Sequence, residues 1–204
     1  LGYDGHSFWD AETFVLPMLT YTFPHAARDH LRWRHSTLDK ARERARELSL
    51  AGAAFPWRTI TGRECSGYWP AGTAAFHLNA DIADATARYL AATGDVEFEA
   101  EAGVELLVET ARMWISLGHF NEESFHIDGI TGPDEYTAVV NDNFFTNAMA
   151  QRNLLEAVAA CERRPDLTPL FGVTEDERRI WRRAAGMMAL PYSAEAGVHE
   201  QSEG

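Results

Sequence analysis

The sequence predicts an all-α fold built in two helical layers, and three observations carry that prediction. Apolar residues recur at three- and four-residue spacing wherever glycine and proline are scarce. One helix is apolar on two sides while another is apolar on one side only, the pattern of a sandwiched element beside a surface element. Long connections interrupt the helical pattern at only two places, 49–72 and 118–141.

In chain order the spacing and stop signals place helices near 7–22, 24–48, 73–93, 96–117, 142–164 and 174–188. The second reads as a solvated helix, with Arg28, Arg32, Arg34, Lys40, Arg42, Arg44 and Arg46 outside a narrow row of Leu38, Ala41, Ala45 and Leu48. The third carries one apolar row of Phe76, Ala80, Ala83, Ala87 and Leu90 and a second of Leu78, Ile82, Ala85 and Tyr89. His77, Asp81, Asp84 and Arg88 lie between the rows as a polar seam. Val104, Leu107, Val108, Ala111 and Ile115 form one face of the fourth. Thr174 with Glu177 reads as a capping box opening the last, which then shows Ile180, Trp181, Ala184 and Met188 on one side.

The 204 residues are 46% apolar and 11% aromatic, enough for a sizeable core, which excludes disorder as the main description. Lys and Arg number 18 against 31 Asp and Glu, a net charge of -13 that opposes nonspecific binding to nucleic acid or to anionic lipid. Cys65 and Cys161 stand far apart, without a disulfide or zinc pattern, which fits a reducing, cytoplasmic setting. No run approaches the roughly 18 apolar residues of a membrane span. The chain opens at Leu1 directly into Gly2–Asp10 and stops at Gly204 after a polar run, so a piece of a longer protein is expected, with no domain boundary inside residues 1–204.

Loops of this length inside a compact domain tend to be functional. The first holds Phe55-Pro56-Trp57 and Tyr68-Trp69-Pro70; the second holds Phe125-His126-Ile127-Asp128 and Gly132-Pro133-Asp134-Glu135-Tyr136. Aromatic faces stack on the C–H surfaces of sugars while carboxylates and amides bind hydroxyls in pairs, and Trp9-Asp10, Trp57 and Tyr68-Trp69 suit that chemistry. Plugging the ends of a helical bundle would explain any one of these aromatics taken alone. In Asp134-Glu135, adjacent like charges beside an aromatic residue tend to raise one carboxyl pKa, as a general acid requires, though a turn with two solvated acids fits the same residues. Asn141, Asp142, Asn143 and Asn147 either cap the next helix or present hydroxyl-binding groups. Of the eight histidines, His30 with His35 and His6 with Asp10 come nearest to a metal pair; neither closes a site, and no metal is expected. Serine-hydrolase and nucleotide-binding motifs are missing from the sequence.

Taken together, Gly2-Tyr3-Asp4-Gly5-His6-Ser7-Phe8-Trp9-Asp10-Ala11-Glu12, Phe55-Pro56-Trp57 with Gly62-Arg63-Glu64-Cys65, and Thr131-Gly132-Pro133-Asp134-Glu135-Tyr136 followed by Asn143–Asn147 resemble glycoside hydrolase family 65. These are inverting disaccharide phosphorylases acting on maltose, trehalose, kojibiose and related glucosides. The resemblance runs over essentially the whole chain. It implies a partial (α/α)6 barrel, about half of the twelve helices, with long loops lining the active site. It implies Glu135 as the general acid, and Trp9 and Asp10 as holders of the glucosyl unit with His6 and Tyr3 supporting their loop. Trp57, Glu64, Tyr68 and Asn143 are further substrate-binding candidates, and Asp134 is a neighbour shaping the field.

The implied reaction is phosphorolysis of a glucose disaccharide to β-glucose 1-phosphate and glucose, with inorganic phosphate as co-substrate and no cofactor. A homodimer is compatible with the resemblance. Ala11 stands where the family more often has threonine, and Arg58–Trp69 looks more like the trehalose and kojibiose branches than the maltose branch. A trehalase-like inverting hydrolase on the same barrel, needing a second carboxylate to activate water, is the alternative; a noncatalytic sugar-binding helical module is another. The group that completes the reaction is expected outside residues 1–204. The isolated segment is therefore expected to be inactive, with Phe76, Ala80 and Ala83 exposed for want of partners.

Overall fold

The computed structural model describes residues 3–203; Gly2 of the opening motif lies outside them. The fold is all-α, tied at its loops by three two-residue antiparallel ladders. The helices are α1 (Leu16–Thr22), α2 (Pro24–Ser36), α3 (Leu38–Glu47), α4 (Trp69–Ala74), α5 (His77–Thr93), the single turn α6 (Val96–Phe98), α7 (Val104–Leu117), α8 (Phe144–Arg163) and α9 (Glu175–Gly186).

Each expected helix is trimmed or divided; for the first two the local reason is visible, and the last opens on only half of its expected cap. The 7–22 segment starts as strand β1 (Ser7–Phe8), then forms a π-helical turn over Ala11–Val15 before α1. Pro17 has no N–H to give and its ring crowds the carbonyl four residues earlier, so the turn ahead of it widens. The 24–48 segment breaks at Thr37, whose backbone leaves the helical region and whose hydroxyl donates to the Arg34 carbonyl at 2.8 Å. In the last helix Thr174 accepts from the Glu177 N–H at 3.1 Å, half of the expected capping box. The other half is missing because the Glu177 carboxylate turns to Arg112 at 2.7 Å.

Helix α5 is buried on nearly every side, as its two apolar rows predict, and packs against α1, α2, α7 and α8. His77 meets Phe145 near the start of both α5 and α8, and Asp84 meets Arg152 a few turns on, at 2.5 Å. The two helices therefore run side by side in the same direction, with their first turns at one end. Gly94, in the left-handed region at φ 63°, ends α5 and reverses the chain into α6 and α7. Parallel neighbours joined through a returning helix give the two-layer arrangement. The largest apolar cluster lies between α5, α7, α8 and α9, around the fully buried Trp114 and Trp181.

Two expectations are corrected. Phe76, Ala80 and Ala83 are buried, filled in by α7 and α8; the exposed apolar side chains lie elsewhere, among them Phe14 at 62%, Met18 at 59% and Tyr21 at 74% along the first helical segment. The α2–α3 face is also less solvated than its arginines suggest, because Arg34 is 0% and Arg44 9% exposed. Arg34 donates from Nε and Nη2 to the two carboxylate oxygens of Glu12 at 2.7 and 3.0 Å, and His30 Nε2 lies 2.6 Å from the same carboxylate. Burial alone would raise the Glu12 pKa, but Arg34 and His30 outweigh it and hold the group at about 2, against its usual 4.5.

Because that folded pKa is depressed, the pair's contribution is complete above pH 4.5 and is lost as pH falls toward 2. Glu12→Gln is expected to destabilise the protein by about 3–5 kcal/mol at neutral pH, the usual cost of leaving one partner of a buried pair alone. Urea unfolding at pH 7 and pH 3 checks this: the gap between wild type and variant should shrink at the lower pH.

Candidate functional site

The N-terminal motif is assembled on the Glu12–Arg34 pair. Arg34 Nη2 also reaches Ser7 Oγ at 3.3 Å, so one guanidinium spans both ends of the Trp9-Asp10 segment. Strand β1 pairs with β2 (Arg58–Thr59), joining this segment to the first long loop in the register Ser7 to Thr59 and Phe8 to Arg58. His6 Nδ1 lies 2.7 Å from the Tyr3 carbonyl oxygen and 3.3 Å from Arg58 Nη2, and Tyr3, itself exposed, sets its ring edge-on to Phe8. His6 and Tyr3 thus buttress the loop. Asp10 is half-buried and heads the π-helical turn without spending its carboxylate on a cap bond.

Trp9 is half-buried and meets three rings: Phe14 at 5.3 Å, His77 at 5.1 Å and Phe145 at 6.0 Å, all edge-to-face. Trp57 stacks on Phe8 at 5.7 Å and donates its indole N–H to His77 Nε2 at 3.3 Å. The loop holding Trp57 is fixed by Glu64, whose Oε2 accepts from the Trp57 N–H at 2.6 Å and whose Oε1 accepts from the Ser66 N–H at 2.8 Å and the Ser66 hydroxyl at 2.5 Å. Arg44 secures the same loop from beneath, donating to the carbonyls of Phe55 at 2.9 Å and Gly72 at 2.7 Å.

The second motif hangs from the start of α8. Ile130 and Val140 bridge to close the loop between them, the Thr131 N–H donates to the Ala74 carbonyl at 3.0 Å, and the Thr131 hydroxyl bonds the Ala138 carbonyl. Asn143 caps α8, accepting from the Thr146 N–H at 3.0 Å. A Cβ on Gly132 would sit 2.4 Å from the Asn143 side chain, so only glycine lets the loop rest on this cap. Asp134 Oδ2 accepts from Gln201 Nε2 at 2.8 Å and its Oδ1 from the Tyr136 N–H at 3.2 Å; the bond from Gln201 leads the causes that hold its pKa below the usual range. Tyr68 donates to the Glu135 carbonyl at 3.2 Å, joining the first loop to the second.

These elements form two neighbouring concavities. Trp9, Phe14, Phe145, Asn143, Pro133 and Asp134 line one of about 470 Å³, completed by His199, Glu200 and Gln201. Tyr68, Glu135 and Tyr136 line an open hollow of about 320 Å³. Trp9 and Asp134 line the same hollow although 125 positions separate them in sequence; of the two carboxylates expected to open into one site, Asp10 lines neither hollow and Glu135 lines only the second.

The sequence reading missed the segment 199–201, since His199, Glu200 and Gln201 carry no periodicity to mark them. Phe144 stacks on His199 at 4.3 Å, and the Gln201 carbonyl accepts from the Phe144 N–H at 2.9 Å. It also missed Phe145, which helical spacing alone cannot tell from core.

His126, Asp128 and Asp142 bring ligand-capable atoms within 4.8 Å of one another. His126 and Asp142 are engaged within the fold: His126 Nδ1 lies 2.6 Å from Asp142 Oδ2, Asn121 donates to His126 Nε2 at 2.8 Å, and Asp142 Oδ1 accepts from the Ile127 N–H and from Asn147, while Asp128 is exposed and lies 3.7 Å from His119. That network ties the strand Phe125–His126 to the start of α8. The histidines that came nearest to a metal pair in the sequence are engaged separately, His30 with Glu12 and His35 with Glu105 at 2.7 Å.

The model of the glycosyl hydrolase family 65 central catalytic domain matches residues 1–204. The chain belongs to glycosyl hydrolase family 65. An uncharacterized glycosyl hydrolase of Mycobacterium tuberculosis is 61% identical over 204 residues, covering all of this chain and 26% of that protein. The α,α-trehalose phosphorylase of Geobacillus stearothermophilus is 47% identical over 211 residues, covering 99% of this chain and 28% of that protein. A solved structure, "Putative kojibiose phosphorylase from human microbiome", superposes with a TM-score of 0.89 at 32% identity, over 98% of this chain and 28% of that one. The family 65 chain described here thus spans about a quarter of the length of these relatives, and its helices are consistent with part of a helical barrel.

Gly132→Ala is expected to push the acidic loop off its cap, costing about 1–3 kcal/mol as an overpacked contact does. Thermal unfolding together with the amide NMR shifts of residues 131–143 checks this: a lowered Tm with shifts confined to that stretch is the expected result.

Proposed function

We propose that residues 1–204 form part of the catalytic domain of an inverting glycoside phosphorylase that cleaves an α-linked glucose disaccharide, of the trehalose or kojibiose type rather than maltose. The observation that carries this reading is the shared wall of Trp9 and Asp134, with Glu135 next in sequence and its backbone held by Tyr68. Whole-chain relationship to α,α-trehalose phosphorylase supports it.

In this reading Trp9 stacks on the glucosyl ring and the free carboxylate of Asp10 accepts from its hydroxyls. Glu135 donates a proton to the glycosidic oxygen as the C–O bond breaks. Inorganic phosphate attacks the anomeric carbon from the opposite face, giving β-glucose 1-phosphate and free glucose. Asp134, bonded to Gln201, stays ionised and fixes the loop. Trp57 and Tyr68 face the leaving sugar; His6, Tyr3, Glu64 and Asn143 act by holding the loops that present the others. No cofactor takes part. A cytoplasmic setting fits the unpaired thiols of Cys65 and Cys161.

In the full-length protein, Glu135→Gln is expected to lower turnover of an unactivated disaccharide by roughly two to four orders of magnitude, since proton donation serves the transition state. Sugar affinity should barely change. Glucosyl fluoride needs no proton on its leaving group and should lose much less, so equal losses on both substrates would show that Glu135 is not the acid. Wild-type cleavage that runs at the same rate without phosphate and releases only glucose would replace phosphorolysis with hydrolysis.

A further inference from the structure

Behind Trp9 and Trp57 lies one side chain that touches both. His77, the first residue of α5, is completely buried. Its Nε2 lies 3.3 Å from the Trp57 indole nitrogen, and its Nδ1 lies 2.8 Å from Asp81 Oδ2, one turn along the same helix. Its ring is edge-to-face with Trp9 at 5.1 Å and with Phe145 at 6.0 Å, and Trp9 and Phe145 meet each other at 6.0 Å, so the three rings close a triangle.

Hydrogen-bond chemistry fixes the state of this imidazole. An indole N–H can only donate, so Nε2 must be an unprotonated acceptor. A neutral imidazole then carries its one proton on Nδ1, which donates to Asp81. The conclusion holds whichever protonation state Asp81 adopts. Asp81 is itself buried, and its other oxygen has no hydrogen-bond partner among the described residues, so the carboxylate is committed to His77.

We propose that His77 is a positioning residue for the sugar site: locked by Asp81 as the neutral Nδ1–H tautomer, it fixes the two tryptophans that receive the substrate. The inference rests on the sugar-site reading above. His77 touches no substrate; it sets the orientation of Trp57 through a hydrogen bond and of Trp9 through ring packing. A ring free to protonate would present an N–H to the Trp57 N–H and break that link. The seam His77, Asp81, Asp84, Arg88 on α5 thus divides, its first pair serving the site and its second, with Arg152, joining α5 to α8.

Two variants in the full-length protein test this. Gln at position 77 can accept from Trp57 and donate to Asp81, whereas Leu can do neither. His77→Leu is expected to raise KM for the disaccharide and the Kd for glucose by about tenfold to a hundredfold, the scale of a misplaced binding group, with a smaller change in kcat. His77→Gln should recover most of the loss.

NMR supplies a readout independent of activity. The wild-type His77 nitrogens should show the Nδ1–H tautomer, and the Trp57 indole proton, assigned by its loss in Trp57→Phe, should be shifted downfield and should move in His77→Leu. If His77→Leu does not fold, Trp57→Phe tests the same bond from its other end: the His77 Nε2 resonance should shift as its donor is lost while Nδ1–H stays held by Asp81, and KM should rise. An Nε2–H tautomer in the wild type, or unchanged KM and Kd in a folded His77→Leu protein, would overturn the proposal. A wild type showing the expected tautomer but binding no glucose would sink the sugar-site reading and this role with it, while leaving the hydrogen-bond assignment intact.

Discussion

The rest of the site depends on the buried pair between Glu12 and Arg34. Taking two charges out of water costs several kcal/mol each, and their attraction offsets this only when the geometry is good and the remaining atoms find partners. Here the contact is bidentate, and His30 and Ser7 take up further capacity on either side, although Arg34 Nη1 is buried without a hydrogen-bond partner among the described residues. A hydrophobic pair of similar volume could fill the same space. What it could not do is hold Ser7 and Glu12 to one rigid guanidinium, leaving the intervening Trp9 and Asp10 with little freedom in how they leave the helix.

From that fixed point the structure extends by short, directional contacts. Ser7 and Phe8 pair with Arg58 and Thr59, Phe8 stacks on Trp57, and Trp57 reaches His77 on α5. On the other side Asn143 caps α8 and supports Gly132, while the neighbouring Phe145 returns to Trp9. Each contact joins segments far apart in the chain, so the loops are held by their mutual bonds. The loops also anchor themselves in the core through Phe55, Phe125, Ile127 and Ile130, all buried.

Periodicity made the long helices legible because burial on one or two faces repeats at the turn of the helix. Phe76, Ala80 and Ala83 announced a sandwiched α5, and Asn143 was readable as either a cap or a ligand because both use the same amide. The breaks at Pro17 and Thr37 were harder, since a proline near a helix start is compatible with a regular first turn and a threonine is tolerated within helices. Arg34 and Arg44 were misjudged because the basic residues of a helix normally face water; only the positions of Glu12 and of the Phe55 and Gly72 carbonyls, none of them nearby in sequence, turn these two inward. The histidine seam was visible as spacing, but its purpose depends on Trp57 arriving from another loop. Segment 199–201 had no signal of its own.

The convergence of the two motifs follows from helix direction. α5 and α8 lie side by side and run the same way, so their first turns open at one end of the layer, and the loops that precede them must arrive there. The loop before α5 brings Trp57, and the loop before α8 brings Asp134 and Glu135. Trp9 enters from the Glu12–Arg34 anchor and fits between His77 and Phe145. Parallel packing of two helices thus fixes where the two motifs and Trp9 meet.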